Sequence, residues 1–230
     1  MADSQLAMRQ TLAVTVAVCA ALAALASADD NKPQLSLPKA NLCSNRQKHF
    51  FHRGHSYLFS WRANAQPETW FHARNYCRDR CMDLVSMETG EENELMKNIV
   101  QEGTRNGQSI WTSGRLCNFN DDCKRPDLNP IRINGWFWAT PRVRMLPSDQ
   151  KTPFSANRAV NDWSSAGRCG AQPDQCDNRV DEACMTIGNN LFGDGIKWHD
   201  ETCHLQKHFI CEDSDELINF VRFNNRGLNL

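Results

Sequence analysis

Short segments of alternating apolar and polar residues recur along the chain and predict β-strands. The clearest is HSYLFSW at residues 55–61, where aromatic residues occupy every second position from Tyr57 on. MDLVSM at residues 82–87 is a second short strand candidate. After Gly107 the candidates are separated by turn and loop residues: SIWTSGRL (109–116), WFWAT (136–140), ACMTIG (183–188), GIKW (195–198) and HFICED (208–213). The pattern predicts several short strands.

Two other segments have apolar residues at helical spacing. In the first, the positions that follow Pro67 at this spacing are Trp70, Ala73, Tyr76 and Cys77. The second begins with Thr89 and Glu92, a capping-box pair, and continues through ENELMKNIVQE. The residues predicted for its buried face are Leu95, Ile99 and Met96. The chain therefore predicts two helices together with short strands.

Residues 117–182 contain few periodic segments and many Pro, Asn, Asp and Gly residues. A loop region of this length is either functional or needs covalent support. It contains four cysteines, and we expect the nearby ones to form local bridges, Cys117 with Cys123 and Cys169 with Cys176.

The N-terminal segment predicts export. Arg9 precedes the uncharged run TLAVTVAVCAALAALA, and Ala26, Ser27 and Ala28 give the small-residue pattern of a signal-peptidase site. We predict a signal peptide at 1–28 and a polar leader at 29–42; an uncleaved anchor is the alternative, although the run is short for a bilayer span. The tail at 214–230 carries an apolar patch that either forms a small helix or is disordered.

Composition and cysteine count agree with a secreted globular protein. The chain is 40% hydrophobic and 23% charged with a formal net charge of -1, which gives no reason to expect nucleic acid or an anionic membrane as partner. Without Cys19 of the predicted signal peptide, an even set of cysteines remains, which indicates disulfides in an oxidising compartment. Zinc-cysteine clusters are the alternative, but the spacings are not those of paired CxxC knuckles.

Several motifs carry a resemblance to a known family. They are Trp70, Ala73 and Cys77 in the first helix, IWTSG at 110–114, EAC at 182–184, WHDETC at 198–203 and FICE at 209–212. In this order they resemble a C-type lectin-like domain over residues 43–213. The stretches IWTSGRLCNF, CKRPDLNP, NGWFW and KWHDETCH are most similar to secreted insect C-type lectins, some associated with epidermis and cuticle. The resemblance implies an α+β fold with two helices, short antiparallel sheets and a long disulfide-stapled loop region.

The resemblance also implies disulfide pairs that composition does not assign. Cys77 would pair with Cys211 and tie the first helix to the last strand. Cys184 would pair with Cys203 and close the base of the long loop. With the two local bridges in place, Cys43 and Cys81 are left as the fifth pair.

A calcium-dependent sugar site is implied at five positions that match the family's ligand pattern. Gln172 and Asp174 flank Pro173, which the family holds in a cis peptide, and Glu182 and Asp200 add carboxylates. Calcium takes six to eight oxygens, which these side chains offer. The fifth position is His199 instead of the family's Asn, and imidazole is a poor calcium ligand, so we place it at the rim of the carbohydrate site. The Gln-Pro-Asp order implies galactose-type selectivity, although no aromatic residue follows Asp174 before Glu182.

These residues lead to two functional hypotheses. The first is a secreted lectin that binds a glycan or glycoprotein through calcium. The second is a calcium-independent extracellular module with a degenerate sugar site, whose loop, kept by disulfides and by Trp136, Trp138 and Trp163, binds a matrix or cuticle protein. Roles in innate immunity and in cuticle both fit.

Other chemistry is less well supported by the sequence. No nucleophile elbow, phosphate loop or HExxH helix occurs, so catalysis is not expected. Trp163 and Trp198 are expected in the core and not against a ligand. A zinc cluster is conceivable between two groups of histidines, for which surface positions are the simpler interpretation: His49, His52 and His55, and His199, His204 and His208.

Overall fold

The computed structural model describes residues 34–118, 121–152, 154–176 and 180–230. Leu35–Leu230 form one compact unit. The predicted signal peptide and the leader residues before Gln34 lie outside the described residues. The unit includes the rest of the predicted leader and the tail as well as the predicted 43–213 domain. No helix in the described ranges is both long enough and apolar enough to cross a membrane.

The described residues form an α+β structure, as predicted. The α-helices are α1 (Ala40–Ser44), α2 (Trp70–Arg78), α3 (Gly90–Gly103), α4 (Ile131–Asn134) and α5 (Asp215–Asn224). The strands are β1 (Phe50–His52), β2 (His55–Phe59), β3 (Met82–Leu84), β4 (Ser109–Leu116), β5 (Trp136–Trp138), β6 (Val143–Arg144), β7 (Cys184–Asn189), β8 (Ile196–Glu201) and β9 (His208–Asp213). Two short 3-10 helices, Asp121–Lys124 and Pro126–Leu128, lie in the long loop region. The two predicted helices are α2 and α3, and the apolar tail forms α5.

The strands form two antiparallel groups that meet along one parallel contact. In the first group β9 pairs with β2 and β3, and β1 pairs with β2. In the second group β4 pairs with β5 and β7, β5 with β6, and β7 with β8. Ile110 and Trp111 of β4 pair in parallel with His208 and Phe209 of β9. The predicted strand at 82–87 ends at Leu84: Val85 still donates its N–H to the Ile210 carbonyl of β9 at 3.0 Å, but its own carbonyl accepts the N–H of Ser113 in β4 at 2.8 Å.

Helix α3 begins at the predicted capping box, and its buried face includes a polar residue that the sequence pattern does not predict. The Thr89 hydroxyl accepts the Glu92 N–H at 3.3 Å, and the Glu92 carboxylate accepts the Thr89 N–H at 2.9 Å. Of the three residues predicted for the buried face, Met96 is buried, and Leu95 and Ile99 are partly buried and pack against the same core. The buried positions are Gly90, Asn93, Met96 and Val100. Asn93 belongs to this face because its side chain has hydrogen-bond partners inside the protein.

Four tryptophans, three of them in the long loop region, pack together in one cluster. Trp136 and Trp163 have ring centroids 4.8 Å apart, Trp138 and Trp198 are 5.5 Å apart, and Trp163 and Trp198 are 6.0 Å apart. All three contacts are edge-to-face, which aromatic pairs favour. Trp198 is 1% exposed and Trp163 packs partly buried against the same core, so both are core residues as predicted.

All five predicted disulfides are present. They are Cys43–Cys81, Cys77–Cys211, Cys117–Cys123, Cys169–Cys176 and Cys184–Cys203. Cys77–Cys211 joins α2 to β9, and Cys184–Cys203 joins β7 to the segment after β8. These pairs and the order of helices and strands are those that the resemblance to C-type lectin-like domains implies.

Candidate functional site

A small disulfide-closed loop forms one side of the site. We call residues 169–176 the ring, because Cys169 and Cys176 close it covalently. The Gln172–Pro173 peptide bond is cis, as the resemblance implies. The ring docks onto the protein through Gln172, which is 8% exposed. Its N–H donates to the Ser164 carbonyl at 2.9 Å, and its amide oxygen accepts the Asp200 N–H at 3.1 Å.

Strand β8 forms the opposite side and places Asp200 at the ring. Side chains alternate between the two faces of a strand, so Trp198 and Asp200 share one face and His199 lies on the other. Trp198 fixes the strand in the core, where its indole N–H donates to Asn93 at 2.9 Å. Asn93 in turn donates to Asp162 at 2.9 Å. The buried polar residue of α3 is therefore part of the support for the site.

Three of the predicted site residues converge. Asp174, Glu182 and Asp200 each place a carboxylate oxygen within 4.8 Å of those of the other two. Within the part of the chain that the structure describes, this is the one group of three or more His, Cys, Asp or Glu residues with such geometry. The ring supplies Asp174, the approach to β7 supplies Glu182, and β8 supplies Asp200.

Backbone N–H groups of the ring donate to all three carboxylates. Asp200 accepts from the N–H groups of Asp174 and Gln175, each at 3.0 Å. Asp174 accepts from Cys169 at 2.9 Å, and Glu182 accepts from Cys176 at 2.7 Å. Successive N–H groups that point to one side form an anion-binding concavity. The ring therefore gathers the acidic groups into one place.

Gln175 completes this arrangement, and the sequence motifs do not identify it. Its side-chain oxygen accepts the Glu182 N–H at 3.1 Å, and its amide group donates to the Val180 carbonyl at 2.9 Å. Its backbone has a positive φ of 47°. Residues other than glycine adopt this conformation rarely, and it turns the N–H of Gln175 toward Asp200. No signal in the sequence indicates that the Gln175 backbone contacts Asp200, because every residue except proline has an N–H to donate.

Asp200 is the buried member of the three carboxylates, and it lies beside two other acidic groups. Asp200 is 6% exposed. Burial, together with the nearby charges of Glu182 and Asp174, raises its pKa to about 7 against the lowering effect of the two N–H donors. The site therefore favours a positive charge, either a proton or a metal cation, beside Asp200 near neutral pH.

The chemistry of the donors fits a hard cation. Three carboxylates and the Gln172 amide offer oxygen atoms alone, which suits calcium and not the softer metals that prefer imidazole or thiolate. An oxygen that accepts one N–H keeps a second lone pair, so the ring's hydrogen bonds and a cation are compatible. Gln172, Asp174, Glu182 and Asp200 are thus the residues that could hold calcium.

His199 is not among the converging side chains. It is 2% exposed, its ring lies 5.5 Å from that of Phe192, and neither ring nitrogen has a hydrogen-bond partner among the described residues. Burial lowers its pKa to about 4, against the raising effect of Asp194 and Asp174. The interpretation of this histidine as a surface residue was wrong, since it packs on the face of β8 opposite Asp200.

The remaining histidines form no metal cluster in the described ranges. Three of these histidines contact residues that are not part of any metal-binding group. His55 contacts Glu212 at 2.9 Å, His49 accepts the N–H of Phe59 at 2.9 Å, and His208 contacts Ser60 at 2.9 Å.

Comparisons with known proteins give structural neighbours only. No protein-family model and no curated protein matches the sequence. The structure is similar to the C-type lectin domain of murine dendritic cell inhibitory receptor 2 in complex with N-glycan, with 14% identity, 72% of this chain and 95% of that chain covered, and a TM-score of 0.45. It is similar to the mouse scavenger receptor C-type lectin carbohydrate-recognition domain, with 20% identity, coverage of 74% and 95%, and a TM-score of 0.45. It is also similar to C-type lectin CEL-I from Cucumaria echinata, with 18% identity, coverage of 73% and 94%, and a TM-score of 0.46.

Proposed function

We propose that the protein is a secreted C-type lectin-like protein that binds carbohydrate through a calcium ion held by Gln172, Asp174, Glu182 and Asp200. The observation that carries the proposal is the convergence of three carboxylates within 4.8 Å beside the ring. Their mutual repulsion is relieved when a divalent cation binds between them. Secretion fits the five disulfides, which form and persist in oxidising compartments.

The coordination of calcium leaves room for a sugar. Calcium takes about six to eight oxygens. One oxygen from each of the four side chains leaves at least two positions, which neighbouring hydroxyls of a sugar ring can occupy. The chain's own residues then orient the glycan, since carboxylate oxygens accept hydrogen bonds from the same hydroxyls. The Gln-Pro-Asp order supports galactose-type selectivity.

A calcium titration tests the metal site directly. We expect calcium to bind the wild-type protein by isothermal titration calorimetry and to raise its melting temperature. Glu182→Gln removes one converging charge and should weaken calcium at least about 10-fold, since a charged ligand contributes more than about 1.4 kcal/mol. Asp181→Asn changes the exposed neighbouring acid and should stay within about twofold. Equal affinity in the two variants would exclude the assigned ligand set.

A glycan array with and without chelator tests the sugar. We expect binding to galactose-terminated glycans in calcium and its loss in chelator. A preference for mannose-type glycans would refute the proposed selectivity but not the calcium site. The predicted place of His199 at the glycan rim stays a prediction.

One observation favours a calcium-independent module as the second candidate. Each of the three carboxylates already accepts at least one backbone N–H from the ring. These donors stabilise the loop without a metal, so the same surface could bind a matrix or cuticle protein directly. An unchanged melting temperature in calcium and in chelator, with no chelator-sensitive glycan signal, would favour this candidate.

A further inference from the structure

The Cys169–Cys176 disulfide lies beside the carboxylates of the candidate cation site. Both of its cysteines donate a backbone N–H to one of them: Cys169 to Asp174 at 2.9 Å and Cys176 to Glu182 at 2.7 Å. The bridge therefore fixes the separation of the two donors, and through them it fixes two of the three acidic groups.

The third carboxylate depends on the same ring. Asp200 accepts from Asp174 and Gln175, which lie between the two cysteines. A closed ring allows these N–H groups to point inward together, whereas an open chain must lose conformational entropy to reach the same arrangement. The bridge thus acts on all three carboxylates through four hydrogen bonds.

We propose that the Cys169–Cys176 bridge is the positioning element of the cation site, and that its opening lowers calcium affinity without unfolding the domain. This inference rests on the proposed function, because calcium is the ligand whose affinity it concerns. The cysteines touch no cation themselves; they act through Asp174 and Glu182. The other bridges hold the surrounding fold, including Cys184–Cys203 at the base of the loop.

The expected loss follows from the length of the ring. Closing a loop of this length changes the chain entropy by an amount equivalent to about 60-fold in a binding constant. Gln172 keeps its contacts with Ser164 and Asp200 when the bridge opens, so part of the arrangement survives. We therefore expect calcium affinity to fall by between about 10-fold and about 60-fold.

The chain offers a matched control. Cys117–Cys123 closes a local loop with a sequence separation of 6, compared with 7 for the ring. The N–H of Cys117 donates to the Gly135 carbonyl at 2.8 Å instead of a carboxylate. We compare a double alanine variant of each bridge by calorimetric titration with calcium. Each variant removes one disulfide that closes a loop of similar length. We expect C169A/C176A to lose affinity by the stated factor and C117A/C123A to stay within about threefold. Equal losses would overturn the inference.

A second measurement needs no calcium and separates this inference from the proposed function. In chelator, native-state hydrogen exchange should show the N–H groups of Asp174 and Gln175 protected in the wild type and exchanging faster in C169A/C176A. Unchanged protection would overturn the positioning role, whether or not calcium binds. A wild type that binds no calcium but shows this change would refute the proposed function and retain the role of the bridge.

If C169A/C176A does not fold, mild reduction of the folded wild type replaces it. Cys169 is the one exposed cysteine among the described residues, whereas Cys123, Cys176 and Cys203 are half-buried and the other six are buried, so a water-soluble phosphine should open the ring first. Disulfide mapping confirms which bridge has opened, and the calcium titration and hydrogen exchange are then repeated. Retained affinity and protection in the selectively reduced protein would refute the inference.

Discussion

Asn93 offers a stringent test of how the core supports the site. Its side chain is 3% exposed, accepts from the Trp198 indole at 2.9 Å and donates to Asp162 at 2.9 Å. In Asn93→Ala the indole N–H stays buried and loses its partner, which costs about 1–3 kcal/mol. Asp162 keeps its contacts with Lys97 and Lys197, so its loss is smaller, about 0.5–1 kcal/mol.

Helix propensity opposes part of this loss. Alanine is a better helix former than asparagine by roughly 0.5 kcal/mol. The net expectation for Asn93→Ala is therefore a decrease in the free energy of unfolding of about 1–3.5 kcal/mol. Asn98→Ala is the matched control on the same helix, because Asn98 is exposed and should show only the propensity gain.

Urea denaturation followed by far-UV circular dichroism measures both variants. The propensity gain cancels between them, so the difference should be about 1.5–4 kcal/mol with an unchanged m-value, since both variants bury the same surface. A difference below about 1 kcal/mol would mean that the indole finds another acceptor or that Asn93 does not bridge α3 and β8.

Three further predictions concern the site and pH. His199→Asn should leave calcium affinity within about threefold by calorimetry, because its side chain lies on the face of β8 opposite the carboxylates; a large gain would show that histidine replaces a needed oxygen ligand. The hydrogen bond to Glu212 raises the pKa of His55 to about 9, so its contribution to stability is fully present below pH 6.5 and lost as pH rises through 9. Melting temperatures in chelator should therefore fall over this window in the wild type and fall less in His55→Gln; equal slopes would refute the assignment. Gly167→Ala should lower the calcium affinity in the same titration, because a Cβ there would overlap the Gln172 amide and the Asp174 carboxylate. Unchanged affinity would show that the loop accommodates the methyl group without displacing these ligands.

The strand and helix positions were predictable because burial imposes a period that the sequence must carry. β4 and β9 match their predicted segments at both ends, and α3 begins at its predicted capping box. The burial of Asn93 in α3 was not predictable, because hydrophobicity alone assigns asparagine to the surface. Asn93 is buried since it satisfies Trp198, a partner distant in sequence, which a helical pattern cannot reveal.

The acidic residues of the candidate site could be predicted from the sequence, but the hydrogen bonds that hold them together could not. Glu182 and Asp200 could be identified because they stand at positions that match the ligand pattern of the family that the sequence resembles. The N–H groups that gather them belong to the backbone of the ring, and their directions depend on its closed conformation. The orientation of His199 depends on which face of β8 packs against the core. Trp198 packs inward, so His199 points to the opposite face of the strand.

The tryptophan cluster gives the protein an internal optical reporter. Trp163 precedes the ring in the chain and pairs with Trp198, which precedes Asp200 on β8. Indole transitions on rings 4.8–6.0 Å apart couple strongly, and this coupling produces a paired positive and negative band in the circular dichroism spectrum. The contribution of Trp163 to this band requires a fixed orientation of its ring, so the band weakens when Trp163 and the ring of residues 169–176 undock, while the Trp138–Trp198 pair keeps its own contribution. The undocking of the loop can thus be followed spectroscopically in the unlabelled wild-type chain.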